Sequence, residues 1–244
     1  MKKLLLIFLP IVSFSQSTLI FSEYAEGSSF NKWVEIYNPT FMDISLDEYR
    51  YNFCFNGCDS LEWEYSLAFD SGYVLAPGDI YLITHYNADS SLLSIANQTT
   101  NLMSNGNDVL ALLNYSVNTI VDIIGEMDST EVSGWDVDGV VNATKDHTMI
   151  RKPDVCSGNI GDWSLSDGSS GASEWIVSVE DDFSNINFHN SNCNSSTLID
   201  EIDSATRQLV EIKDLLSSNS RPINNRLLFY IYDDGTVEKR IVIE

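Results

Sequence analysis

The chain has 244 residues, with 36 acidic against 13 basic side chains and a net charge of −23. A field of that sign repels nucleic acid and anionic lipid and suits divalent cations or cationic partners, with a plain solvated acidic surface as the alternative. At 43% hydrophobic and 11% aromatic residues, the chain can bury a sizeable core, enough for one main domain of under roughly 200 residues and a small appendage.

Lys2 and Lys3 precede an apolar run from Leu4 to Phe14 that closes on small residues at Ser13 and Ser15. This is the layout of a secretory signal peptide over residues 1–15, with cleavage expected near Ser15. The run is broken by Pro10 and is about half of the roughly 20 apolar residues a membrane span needs. The first cysteine is Cys54, so no thiol stands where a lipoprotein carries its lipid. The expected mature chain is soluble, has no transmembrane anchor, and loses two lysines with the leader, which takes −23 to −25.

From Thr18 onward the pattern predicts short strands separated by turns. Trp33, Glu35 and Tyr37 alternate with Val34 and Ile36 until Asn38-Pro39 stops the run. Similar runs are Tyr49 to Phe55, Leu61 to Phe69, Ile80 to Thr84, Val109 to Leu113 and Thr119 to Ile124. Asn56-Gly57, Ala76-Pro77-Gly78-Asp79 and Asn105-Gly106 supply residues that accept positive φ or preset a turn. Only Ser90 to Ala96 suggests a short helix here. Many short strands at this spacing predict a mainly β fold, a sandwich or barrel.

After Cys193, residues 194–197 form a polar linker and residues 198–244 a separate unit. Leu198, Ile202, Ala205, Leu209, Ile212 and Leu216 have helical spacing. Leu227 to Tyr232, Asp233-Asp234-Gly235, and Thr236 to Ile243 read as a β-hairpin with a strong turn signal.

Four cysteines, Cys54, Cys58, Cys156 and Cys193, remain after export. In an oxidising compartment an even count reads first as disulfides, with 54–58 and 156–193 the simplest of three connectivities. Zinc is the alternative, although the second pair lacks knuckle spacing.

No nucleophile elbow, zinc-protease helix or phosphate-binding glycine loop occurs, and no cofactor is expected. His85, His147 and His189 lie far apart in sequence, each beside a strand end or loop, and read as surface or turn residues unless folding gathers them. Glu23 and Glu35 fall in the first two strands. Paired carboxylates there would suit glycoside hydrolysis, but a carboxylate that caps a turn or pairs with Arg151 is the preferred reading. Asp136 and Asp138, in Trp135-Asp136-Val137-Asp138-Gly139, give a fragment of a calcium loop that lacks its remaining ligands. Trp33 and Trp175 fit a core; Trp63 and Trp135 lie nearer loops and are candidates for exposed ligand contacts.

Taken together, Ser22-Glu23, the stretch Trp33 to Pro39, Leu75 to Tyr81, Ser104 to Asp108, Val121 to Gly125, Asp146 to Lys152 and Ser173 to Val177 make residues 17–193 resemble a bacterial lamin-tail domain. The resemblance implies an immunoglobulin-like β-sandwich in an exported protein. Leu209 to Leu216 and Leu228 to Glu244 resemble the type A sorting domain of the type IX secretion system of Bacteroidetes-type bacteria, with Ser217-Ser218 where that family usually has Gly-Arg. That resemblance implies a strand rather than a helix over Leu209 to Leu215. It also makes Asp233, Asp234, Gly235, Lys239 and Arg240 part of a signal read by the secretion machinery.

The resulting expectation is a non-enzymatic binding or adhesion module, secreted or held at the outer-membrane surface, whose partner is a surface protein or glycan and not nucleic acid. A secreted hydrolase using paired carboxylates, or an accessory to a secreted nuclease or phosphatase, is the second reading.

Overall fold

The computed structural model describes residues 18–58, 62–129, 133–193, 209–213, 227–233 and 237–241. The expected leader, the polar linker, Asp234 and Gly235 lie outside them. The chain divides into two units, residues 1–195 and 196–244.

In the first unit the strands are β1 (Ile20–Glu26), β2 (Lys32–Tyr37), β3 (Ile44–Ser45), β4 (Tyr49–Cys54), β5 (Tyr65–Ala68), β6 (Val74–Leu75), β7 (Ile80–His85), β8 (Gln98–Thr100), β9 (Val109–Asn114), β10 (Thr119–Ile124), β11 (His147–Arg151) and β12 (Trp175–Ser178). A single-turn helix, α1 (Ser90–Leu93), lies between β7 and β8. Six strands form one sheet in the order β12-β11-β1-β2-β7-β8, antiparallel except for β7 and β8, and four form a second in the order β10-β9-β4-β5. The architecture is mainly β, as the pattern of short strands and turns predicts.

Turn chemistry sets much of this connectivity. Asn56 and Gly57 both take positive φ, at 49° and 80°, and Cys58 N–H donates back to the Phe55 carbonyl at 3.1 Å. Few residue pairs other than Asn-Gly accept two successive left-handed positions without strain. Pro77 and Gly78, the latter at φ 81°, form the tight turn into β7, closed by Asp79 N–H on the Ala76 carbonyl.

The two sheets bury one core between them. Phe21, Tyr24, Val34, Ile36, Tyr81, Ile83 and Met149 from the larger sheet meet Tyr51, Phe53 and the β9 side chains from the smaller. The Phe21 and Tyr51 rings meet edge to face at 6.4 Å. Trp175 lies in this core, as its strand pattern suggests.

The outer face of the larger sheet is covered as well. Ala25, Trp33 and Leu82 pack there against Ala88 and Leu92 of the α1 segment, with Ile186 from a C-terminal strap closing over them. This covering explains why all six residues of β2 are buried. The alternation of Trp33, Glu35 and Tyr37 with Val34 and Ile36 therefore separates two buried faces, where such a pattern ordinarily marks one buried face and one wet face.

In the second unit β13 (Leu209–Lys213), β14 (Leu227–Tyr232) and β15 (Val237–Ile241) form an antiparallel sheet in the order β13-β14-β15. Leu227 faces Ile241 and Ile231 faces Val237 across the hairpin. Leu209 to Lys213 is a strand, as the sorting-domain resemblance implies and against its helical spacing.

Candidate functional site

Three loops converge at the end of β10 to form an acidic cleft. One lobe, of about 370 Å³, is lined by Glu126, Trp135, Asp136, Asp138, Gly139, Trp163, Asp167, Gly168 and Ser169. An adjoining lobe of about 430 Å³ shares Glu126, Trp163, Asp167 and Ser169 and adds Asp162 and Ser164. Among the described residues five carboxylates border this space and no basic side chain does.

Each loop is held by its own polar residues. Asp138 and Gly139 take positive φ in a two-residue turn between Val137 and Val140, whose backbone groups bond reciprocally at 3.0 and 2.9 Å. Asp138 N–H then donates to the Asp167 carbonyl at 2.9 Å, which ties the first loop to the third. Asp136 accepts from Asn142 N–H at 2.9 Å, Asp162 caps a short turn through Ser164 N–H at 3.1 Å, and Asp167 accepts from Ser169 N–H at 2.6 Å. Asp162 and Asp167 are thus fixed by local Asx-type bonds and Asp136 by a bond across its loop, a common way to pre-set a loop.

Asp136 and Asp138, the residues of the calcium-loop fragment, both line the cleft. Among the described residues no group of three or more His, Cys, Asp or Glu side chains has the arrangement to hold a metal ion. Trp135, expected as an exposed contact, is a correction: it is 7% exposed and belongs to the core. Its loop folds inward, Trp135 N–H donates to Thr144 Oγ1, and the six-membered ring lies where a Cβ on Gly125 would come within 2.8 Å. It borders the cleft from beneath, with Trp163. Trp63 is partly buried and packs on the core from a different loop.

The cysteines pair as 54–58 and 156–193, with Cα separations of 4.9 and 5.3 Å. His85 stacks between Phe30 and Tyr86, His147 opens β11, and His189 lies in the C-terminal strap against Tyr37. Of the sorting-signal residues, Asp233 follows β14, and Lys239 and Arg240 lie in β15.

Glu23 and Glu35 stand directly opposite one another on β1 and β2, just after a register shift that follows Phe21. Both are fully buried on the outer face of the sheet. Glu35 does not pair with Arg151, which corrects that half of the expectation; its other half, a carboxylate on a turn, fits its bond from Asn187 N–H in the strap's turn. Arg151 lies on the inner side, bonded to Asp122 at 3.0 Å and Glu174 at 2.7 Å, and its guanidinium sits over the Trp175 ring. Glu23 accepts from Trp33 Nε1 at 2.8 Å and Asn185 Nδ2 at 3.1 Å; Glu35 accepts from Ser22 Oγ at 3.3 Å and from Asn187 N–H. Desolvation pushes both carboxyls up, Glu23 to about 7 and Glu35 to about 9, and the Glu23 charge adds to the rise at Glu35.

Residues 13–128 match the Lamin Tail Domain family model. The match covers β1 to β10; β11 and β12, which complete the larger sheet, lie beyond it. The mainly β sandwich agrees with the immunoglobulin-like fold of lamin-tail domains. No curated protein and no solved structure matches the chain.

Proposed function

We propose that this chain is an exported, non-enzymatic binding module of the cell surface or extracellular space, and that it takes the cationic groups of a protein or glycan partner in the acidic cleft. The observation that carries the reading is the convergence of five carboxylates, without a base, over two tryptophans on loops that a rigid sandwich holds in place. An ammonium or guanidinium group entering there gains charge-assisted hydrogen bonds in a partly enclosed space.

The carboxylate pair that would serve a hydrolase is enclosed instead of open. Each of its four oxygens accepts a hydrogen bond, and a strap covers it. Delivery fits the two terminal resemblances, a secretory leader followed by type IX secretion. Two disulfides suit an oxidising compartment. Among the described residues no helix is long and apolar enough to cross a membrane. The net charge of −23 weighs against nucleic acid as partner.

The test uses an oligolysine peptide as the cationic probe. Asp136→Asn with Asp167→Asn keeps the acceptors that fix the loops but removes two charges; affinity should fall about tenfold or more. Asp43→Asn with Glu180→Gln removes two exposed charges elsewhere and should change little. Equal losses from both pairs would mean that the peptide reads net charge and not the cleft.

A further inference from the structure

The face of the larger sheet that carries Glu23 and Glu35 is closed by residues 181–189. Asp181 accepts from Ser28 N–H at 3.0 Å and from Ser28 Oγ. Asp182 accepts from Ser178 Oγ, and its own N–H donates to Thr148 Oγ1 at 3.3 Å. Phe183 stacks on Trp33 at 5.1 Å, Ile186 enters the small outer core, and His189 meets the edge of Tyr37 at 4.7 Å. Both ends are tethered: β12 precedes the strap, and the Cys156–Cys193 disulfide follows it.

The strap has no strand pairing. Besides the Phe183, Ile186 and His189 contacts and the Asp182 bonds to Thr148 and Ser178, it gives the sheet two hydrogen bonds aimed at the buried acid pair, from Asn185 to Glu23 and from Asn187 N–H to Glu35. Strap and pair therefore depend on one another. The strap lies over the pair, and two carboxylates opposite one another on adjacent strands have Cβ atoms about 5 Å apart. Two charges at that separation without water repel strongly; one charge with one proton can share the site.

The other titratable groups facing the pair are few. The strap contributes Asp182, whose charge raises Glu23 further, and His189, held neutral by burial with neither ring nitrogen bonded. Strand β2 contributes Tyr37, and the α1 segment contributes only apolar residues to this core. Among the described residues the one buried arginine belongs to the opposite side of the sheet, with Asp122. Among the described residues no cation bonds to the pair, and the Arg151 charge, held by Asp122, is felt at His189, which it helps to keep neutral.

We infer that residues 181–189 are a pH-responsive latch, shut over the outer face of the sheet while the Glu23–Glu35 pair keeps a proton and lifted when both carboxyls ionise. Lifting lets water reach both carboxylates and uncovers Trp33, Leu82 and Ala25. The chain stays attached at β12 and at Cys193, so the movement is reversible. Burial of the pair already places its titration well above the ordinary carboxylate range.

Hydrogen exchange on the full, disulfide-bonded chain tests this, read for amides 182–189 against those of β4 and β9 and corrected for the intrinsic rate. Between about pH 6 and pH 10 the strap should lose about tenfold or more in protection while β4 and β9 keep theirs. Glu35→Gln imitates the protonated acid and cannot ionise, so its strap should stay protected throughout. An unchanged strap in the natural protein, or the same loss in the variant, overturns the proposal. Should the variant not fold, infrared spectroscopy of the natural protein decides: a protonated carboxyl band present at neutral pH must vanish in step with the strap's protection, and its absence at neutral pH is contrary to the latch.

Discussion

Two buried carboxylates show how environment decides what one chemical group does. Asp122 accepts from Phe21 N–H at 2.9 Å and Asn159 N–H at 3.1 Å and is matched by the Arg151 guanidinium, so a full charge sits in the core with partners on every side. Such a pair is costly to break, because the remaining charge is left buried. Glu35, equally buried, faces another acid and no cation. Its folded-state pKa lies above the unfolded value, so its contribution to stability is complete below about pH 4.5 and is lost as pH rises toward about 9. His189 works the other way: burial pushes it down to about 4, so its contribution is present above its ordinary value of 6.5 and is lost as pH falls through about 4. Thermal melting of the natural chain should therefore peak between these two arms. Glu35→Gln should melt several degrees higher than the natural protein at about pH 9 and not at about pH 4.5; an equal shift at both would assign the gain to packing.

At the scale of elements, the parts legible in the sequence are those whose cause is local. Asn56-Gly57, Pro77-Gly78 and the strand runs around them carry their own φ and burial requirements, and they fold as read. Of the expected run Leu61 to Phe69, whose first residue lies outside the described ones, Tyr65–Ala68 forms the strand, because pairing with β4 begins at Phe53–Tyr65. The strap 181–189 has neither periodicity nor propensity; its place is set by Glu23, Trp33 and Glu35, about 150 residues earlier in the chain, and no local pattern announces that. The cleft was half legible for the same reason. Asp136 and Asp138 form a motif, while Glu126 and the Asp162–Asp167 segment come from two other loops that only the fold brings to it. At the C-terminus the competition was between helical spacing and a strand, and pairing of Leu209 to Lys213 with β14 settles it. If this unit is the sorting address we propose, removal of residues 198–244 should leave the body in the periplasm on fractionation. Unchanged surface delivery would refute that role.

Across the whole molecule, excess negative charge and a rigid two-sheet body act together. On the function we propose, the surface field would draw in cationic partners over a distance set by ionic strength, and the cleft would give that attraction a fixed geometry. The acid pair adds a second, separate use of carboxylates, inside the fold instead of on it. Of these, the cleft carries the functional claim. Its most direct test is amide chemical-shift mapping of the isotopically labelled full chain during titration with the oligolysine peptide. Saturable shifts concentrated in residues 135–139 and 162–169 are expected. Shifts spread evenly over the acidic surface, with none saturating in those two loops, would contradict it.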